Sequence, residues 1–277
     1  MKKFSAILFA GLCLMGCNST TTVQQQPATN GEVLAFQLDE LNVTWIQDNV
    51  GLRLMPVQLF TGADSVLIDS LGVRDGVPAS MSAFLVQTGG KNLLFDTGLG
   101  GKNANLVRRL DSLGISTDDI NYLFITHFHG DHIGGMLKGD TVVFPNAQVY
   151  AAQLEYDAWV TNAQPGQNAQ QINTMKAYEA NLHLFNFGDT LPLGVVAIDA
   201  KGHTPGHTAF QCGRLLVVGD LMHGAALQLV NPDICASFDA DKPNAIDSRR
   251  RMLKYAADNN LVMVGMHLPP LKAEDFK

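Results

Sequence analysis

Apolar and polar positions along this chain fall into short blocks separated by glycine- and asparagine-rich turns, the pattern of many strands and few long helices. From residue 32 onward, Glu32–Phe36, Val43–Ile46 and Arg53–Phe60 read as β-rich runs. In MSAFLVQTGGKNLLFDTG two apolar runs flank Thr88-Gly89-Gly90-Lys91, a hairpin signal with glycines suited to positive φ. The second run ends in the polar turn Asp96-Thr97-Gly98. Leu106, Leu110 and Leu113 recur at helical spacing within Lys102–Leu113, and Gly114 closes that helix. Asn121–Thr126 reads as a short buried strand that delivers His127. Further strands are expected at Val142–Phe144, Gln148–Ala151, Leu182–Phe187, Val195–Ala200 and Leu261–Gly265, with a hairpin of Ala209–Cys212 and Arg214–Val218 about Gly213. Helices are expected at Ala152–Val160, Thr174–Ala180 and Ala245–Asn260, the first two separated by the loose loop TNAQPGQNAQQ. Strands come in runs and then a helix, in both halves. That suits packed sheets flanked by helices, an α/β (α+β) class in one domain over residues 32–277, rather than a doubly wound parallel sheet.

Residues 1–31 follow a different pattern. Met1-Lys2-Lys3 is basic, and the apolar run that follows is short for a membrane span. Leu14-Met15-Gly16-Cys17 resembles a bacterial lipobox. The resemblance implies a lipoprotein signal peptide over residues 1–16, cleavage after Gly16, and acylation of Cys17 at its sulfur and new amino group. Residues 17–31 are polar and aperiodic and read as a flexible tether. The expected location is the bacterial cell envelope, lipid-anchored on the periplasmic side or in the outer membrane.

Composition narrows the partners. Hydrophobic residues make up 46% and charged residues 16%, a globular balance. The formal charge is −7 with no long basic run, which argues against nucleic acid, whose binders cluster Lys and Arg. Of the four cysteines, the lipobox resemblance implies that Cys13 would leave with the signal and Cys17 would carry lipid. Cys212 and Cys235 remain, either paired or as two small buried hydrophobes.

Eight histidines serve the whole chain, and three of them sit in ITHFHGDHIGG, Ile125–Gly135, with Asp131 between. His127 and His129 are two apart, so an extended segment points them the same way. Asp131 and His132 lie past the Gly130 turn and face a different point. Imidazole nitrogen and carboxylate oxygen suit zinc, and also manganese, iron or cobalt. One ion cannot take all four groups from so tight a segment, whereas two ions a few Å apart can. Gly130, Gly134 and Gly135 are expected to give the backbone freedom to wrap around them. The residues from Ile133 are expected to open a helix whose N-terminus favours an anion. His203, Asp220 and His267 also follow apolar strand-like runs or their turns, so neighbouring strand ends would gather them in one cleft.

His127-Phe128-His129-Gly130-Asp131-His132 resembles the signature of the metallo-β-lactamase-fold hydrolases. Gly202-His203-Thr204-Pro205-Gly206-His207, Val218-Gly219-Asp220, Gly265-Met266-His267-Leu268-Pro269 and the early Asp96-Thr97-Gly98 resemble its other motifs, in family order. The resemblance implies a four-layer αββα sandwich with a dinuclear site at the sheet edges. It implies His127, His129 and His203 on the first metal, Asp131, His132 and His267 on the second, and Asp220 bridging both together with a water-derived hydroxide. Asp131 or Asp220 would shuttle a proton. His207 would stand behind the ligands or be structural. Asp96 would either orient a ligand histidine or simply form the turn. His223 would lie near the substrate pocket or be a surface histidine.

The carboxylate at Asp220 points away from true β-lactamases, toward the branch with lactonases, glyoxalase II enzymes and organophosphate hydrolases. Residues 219–228 and Phe238-Asp239-Ala240-Asp241 are similar to the methyl parathion hydrolase-like branch, with N-acyl homoserine lactonases nearby. The expectation is an enzyme with two divalent metals, zinc first, attacking a small-molecule lactone, ester or phosphotriester through a metal-held hydroxide. The alternatives are a glyoxalase II-like thioesterase, a β-lactamase-like hydrolase, and a non-catalytic metal-binding surface lipoprotein. Relatives often dimerise, so the resemblance leaves a homodimer open. Leu268–Lys277 follow His267 where relatives continue further, so an altered substrate wall is also expected.

Overall fold

The strands are apolar on both faces because both faces are buried. In Ser82–Thr88, Phe84 and Val86 enter one core while Leu85 enters another. Lys91–Phe95 divides Leu93 and Phe95 from Leu94 in the same way, and Leu215–Val217 divides Leu215 and Val217 from Leu216. A period of two therefore exists but is hidden by the absence of a wet face. The computed structural model describes residues 32–51 and 53–269; the expected signal peptide, tether, Cys17 and the last eight residues lie outside the described residues.

The first sheet has seven strands in the order Val33–Leu38, Leu41–Gln47, Ser82–Thr88, Lys91–Phe95, Tyr122–Phe124, Gln148–Ala152 and Leu182–Phe185. The first four pair antiparallel; from Lys91–Phe95 onward the pairing is parallel. The second sheet runs Val196–Asp199, Thr208–Cys212, Leu215–Val217 and Val262–Val264, its last pair parallel. Between the sheets Phe124 stacks on Phe95 at 5.2 Å and meets Phe210 of the second sheet at 5.5 Å. Helices Leu106–Ser112 and Ala169–Ala177 cover the outer face of the first sheet, and Lys242–Asp258 covers that of the second. This is the expected αββα sandwich.

Several local expectations are corrected. The run Arg53–Phe60 is not one strand: Arg53–Met55 pairs with Val77–Ala79, and Phe60–Thr61 pairs with Cys235–Ala236, with Pro56 starting a 3-10 turn between them. Helix Ser65–Leu71 was not anticipated, although Asp64 caps its start through Leu67 N at 2.8 Å and Gly72 closes it at φ 65°. These pieces form a lobe with its own apolar cluster of Met55, Phe60, Val77, Leu227 and Ile234. The helix expected over 102–113 starts only at Leu106, because the Asp48 carboxylate accepts from both Asn105 N and Leu106 N at 2.8 Å. The helix expected over 152–160 is one turn, Gln153–Tyr156, running into a π-helix at Asp157–Thr161. The next helix lies at Ala169–Ala177 rather than 174–180. Val142–Phe144 reduces to a two-residue strand, Thr141–Val142. Cys212 and Cys235 are free and buried: the first faces the core between the sheets, the second lies on the strand that pairs with Thr61.

One consequence of this topology matters for chemistry. The parallel strands Lys91–Phe95, Tyr122–Phe124 and Gln148–Ala152 end at the same edge of the first sheet. Asp96 follows one of those ends directly, and His127 follows another after Ile125 and Thr126. In the second sheet Leu215–Val217 and Val262–Val264 run parallel, so Asp220 and His267 leave the same edge as well.

Candidate metal centre

Three imidazoles meet first. His129 Nδ1 lies 3.0 Å from His127 Nε2 and 2.9 Å from His203 Nε2. Asp220 Oδ2 is 3.7 Å from His127 Nε2 and 3.4 Å from His203 Nε2. A second group meets on the other side of the same carboxylate. His132 Nε2 is 3.1 Å from Asp220 Oδ1, and His267 Nε2 is 3.1 Å from Asp220 Oδ2 and 3.4 Å from Asp131 Oδ2. His127, His129, His203 and Asp220 thus offer four ligand atoms mutually within 4.8 Å, and Asp131, His132 and His267 offer three more within the same limit. These seven residues come from four loops at one edge of the sandwich.

Each ring is aimed by what holds its other nitrogen. His132 Nδ1 lies 2.6 Å from Asp96 Oδ2, and Asp96 also accepts from Thr126 N and Thr126 Oγ1. Asp96 keeps φ 57°, a left-handed conformation that Asp tolerates better than most residues. His203 Nδ1 lies 2.9 Å from Asp239 Oδ1, and the buried Arg249 guanidinium stands 3.6 Å behind at Asp239 Oδ2. His267 Nδ1 donates to the Ser80 carbonyl at 2.8 Å. His207 is not among the grouped donors. Its Nδ1 donates to the Ala200 carbonyl and its Nε2 accepts from Asp220 N, both at 2.9 Å, which fixes a neutral tautomer and the backbone of Asp220. His223 is buried and lies against Asp220, with its Nε2 2.9 Å from Oδ2.

Four residues escaped the sequence reading. Asp239 sat in a quoted motif without a role, and its signal was that motif. Glu155 is a buried carboxylate that accepts from Phe128 N at 2.9 Å, Thr204 Oγ1 at 2.9 Å and Gly206 N at 2.8 Å, tying the two histidine loops together. Burial pushes its carboxyl up, against those three donors. Gln171 holds the Phe128 carbonyl at 2.9 Å, so the peptide between His127 and His129 is gripped on both sides. Asp48 fastens the loop after Asp96 through Leu99 N at 2.9 Å. Only long-range packing reveals these three.

The glycines act differently from expectation. Gly134 and Gly135 do not take positive φ. They are needed because a Cβ there would run into the Leu99 and Thr97 carbonyls, where two loops meet backbone to backbone. Gly206 is required in the same way by the Glu155 backbone. The helix expected from Ile133 is a single turn, Gly130–Ile133, too short to make an anion site.

The donors fit divalent cations. His132 Nε2 and Asp220 Oδ1, both buried, face each other at 3.1 Å as an ion pair outside hydrogen-bond geometry, so both atoms stay free to ligate a cation that takes the place of the imidazole proton. The charge states differ between the groups. Burial holds His127 well below the ordinary imidazole range, lowers His129, and takes His203 down to about 4 despite Asp239 and Asp220. Burial opposes charge at His132 and His267 too, but there the carboxylates prevail. Asp220 and Asp96 hold His132 well above its ordinary value, and Asp220 and Asp131 bring His267 to about 10. Burial would raise Asp220, yet His132, His267 and His223 keep it well below the usual carboxylate range.

Residues 78–267 match the Metallo-beta-lactamase superfamily profile, which covers more than half of the chain. The chain belongs to that superfamily. Among solved structures it is similar to AidC, a dizinc quorum-quenching lactonase solved with the product N-hexanoyl-L-homoserine. The two share 26% identity and a TM-score of 0.76, over 91% of this chain and 96% of that one. It shares the fold of AbOPH, a hydrolase in the beta-lactamase superfamily, at 24% identity and TM-score 0.76, over 87% and 92%. Among curated proteins it resembles exodeoxyribonuclease WalJ of Streptococcus pneumoniae, 27% identical over 138 residues, 49% of this chain and 46% of that protein. It also resembles ribonuclease Z of Haloferax volcanii, 42% identical over 69 residues, 24% and 20%. The chain thus spans less than half the length of these curated relatives.

Proposed function

We propose that this superfamily member is a metal-dependent hydrolase of small acyl compounds, with lactones and esters as the main class and phosphotriesters beside them. The observation that carries the reading is one carboxylate, Asp220, set between two complete His/Asp ligand groups. When bound, a pair of divalent cations, zinc first, would supply Lewis acidity and bring the pKa of a water down toward neutrality. The chain's own residues do the rest. His127, His129 and His203 present neutral imidazoles, and Asp220 spans the two groups. Asp131, the more open of the two carboxylates with 27% of its side chain exposed, is placed to pass a proton to solvent. The similarity to AidC over nearly its whole length supports the acyl-lactone class. The nuclease relatives favour a competing reading, against which stand the charge of −7 and the pairing of Arg249, Arg250 and Arg251, the one run of three basic residues, with Asp239, Asp233 and Asp247.

The test is turnover by zinc-loaded protein on a lactone, an aryl ester, a phosphotriester, a thioester, a β-lactam, single-stranded DNA and RNA. Lactone or ester hydrolysis should dominate and vanish in a folded His129→Ala variant. Preferred cleavage of nucleic acid would sink the proposal, and cation binding without turnover would leave the non-catalytic alternative. We further propose that Cys17 is acylated and holds the domain at a membrane, on the strength of Leu14-Met15-Gly16-Cys17.

A further inference from the structure

Of the twelve exposed large apolar side chains among the described residues, six follow strand ends or loops that lead to the metal ligands. Val50, 75% exposed, lies three residues past the end of Leu41–Gln47, the end that pairs with Ser82. Leu99 follows Asp96, its backbone bonded to Asp48. Leu154, 50% exposed, comes two residues after Gln148–Ala152 ends. Leu54 is on the strand paired with Val77–Ala79, next to the Ser80 that holds His267. Val230 follows the short helix Ala225–Gln228 that begins beyond His223, and Phe238 packs edge-on to His223 at 4.6 Å. All six leave the sandwich at the edge that carries the metal ligands. At the opposite edge the turns present Asp39, Glu40 and Lys91 to solvent, with Leu193 beside Gly89 as an isolated exposed apolar side chain. An apolar rim of this kind on one end of a protein marks a contact surface.

The chain itself says what lies opposite. Val33 pairs with Ile46, and Glu32 O accepts from Gln47 N at 3.0 Å, so the described domain begins at the same edge as the metal ligands. From Cys17 to that point the chain can span at most about 50 Å, at roughly 3.3–3.6 Å per residue. A compact body of this size is roughly 45 Å across. An anchor at Cys17 therefore reaches the metal edge with ease, whereas turning the opposite edge to the bilayer would use nearly the full extension of the chain. The rim is apolar rather than basic, so it fits insertion among lipids without a need for anionic headgroups.

We propose that this rim docks on the bilayer, so that the mouth of the site faces the membrane and takes amphiphilic acyl substrates from it. The inference rests on the acylation of Cys17. The test uses the full acylated chain in phosphatidylcholine vesicles, with an environment-sensitive dye attached at Val50→Cys, Leu99→Cys or Lys91→Cys. Nitroxide lipids should quench the first two and spare the third. A Val50→Asp/Leu99→Asp double variant should cut turnover of 4-nitrophenyl dodecanoate in vesicles by about tenfold, leaving 4-nitrophenyl acetate unchanged. Equal quenching at all three positions, or a loss shared by both esters, would overturn the docking. The mass of the N-terminal peptide separates the two ideas: an acylated Cys17 with an unquenched rim ends the docking alone, and a bare Cys17 ends both.

Discussion

The two ligand groups share Asp220 yet are prepared in opposite ways. The first, His127, His129 and His203, is three imidazoles kept neutral by burial, with His203 at about 4. The second, Asp131, His132 and His267, is an ion-paired knot in which carboxylates keep both imidazoles protonated, His267 up to about 10. The first group can accept a cation as it stands. The second must shed protons first, and until then those protons balance the charge of Asp220. One fold thus builds a ready position and a charge-gated one within a single cleft.

The harshest test of this contrast removes the residue common to both. Asp220→Ala should abolish binding of a cation pair and lower hydrolysis by at least the order of 10²–10³-fold, measured as zinc per chain and kcat/KM. Retained stoichiometry would mean that the groups are independent. A finer cut separates them. Asp96→Asn weakens the support behind His132, and Asp239→Asn the support behind His203. Each should reduce affinity about 10–100-fold at its own position, leaving the other nearly untouched, in a two-step zinc titration. Equal losses at both steps would erase the distinction.

The smallest effect is on the stability of the metal-free fold, which should fall on both sides of neutrality for opposite reasons. His203 and His207 titrate at about 4 in the fold and near 6.5 unfolded, so as pH falls from 6.5 toward 4 the unfolded chain takes up protons first and stability drops. His267 titrates at about 10 folded, so its contribution is complete below 6.5 and lost as pH rises toward 10. Urea midpoints in chelator should show both limbs. Zinc should remove the alkaline limb, since the cation replaces the protons. A flat profile would break the comparison.

Much of this was legible in the chain because the ligands follow strands whose apolar runs are short and clear. Runs such as Leu93–Phe95 and Leu215–Val217, buried on both sides, point to packed sheets flanked by helices, and the motif resemblance added the four-layer αββα order. The helix Ser65–Leu71 was legible in principle, from Asp64 and Gly72 at its ends, but its short apolar pattern hid it. The supports were not. Glu155, Gln171 and Asp48 act through backbone groups far away in sequence, and nothing in their neighbours marks them. The charge states were also out of reach, because they depend on which carboxylate each imidazole finally faces.

The lobe spanning residues 53–79 has a consequence of its own. It grips the segment carrying His223 and Asp239 from outside, through the pairing of Phe60–Thr61 with Cys235–Ala236 and through Phe60 and Val77 lying against Gly224. It donates no ligand atom. Its hold on the seven grouped residues is therefore indirect: a change at Phe60 or Val77 would reach them by shifting the backbone on which His223 and Asp239 stand.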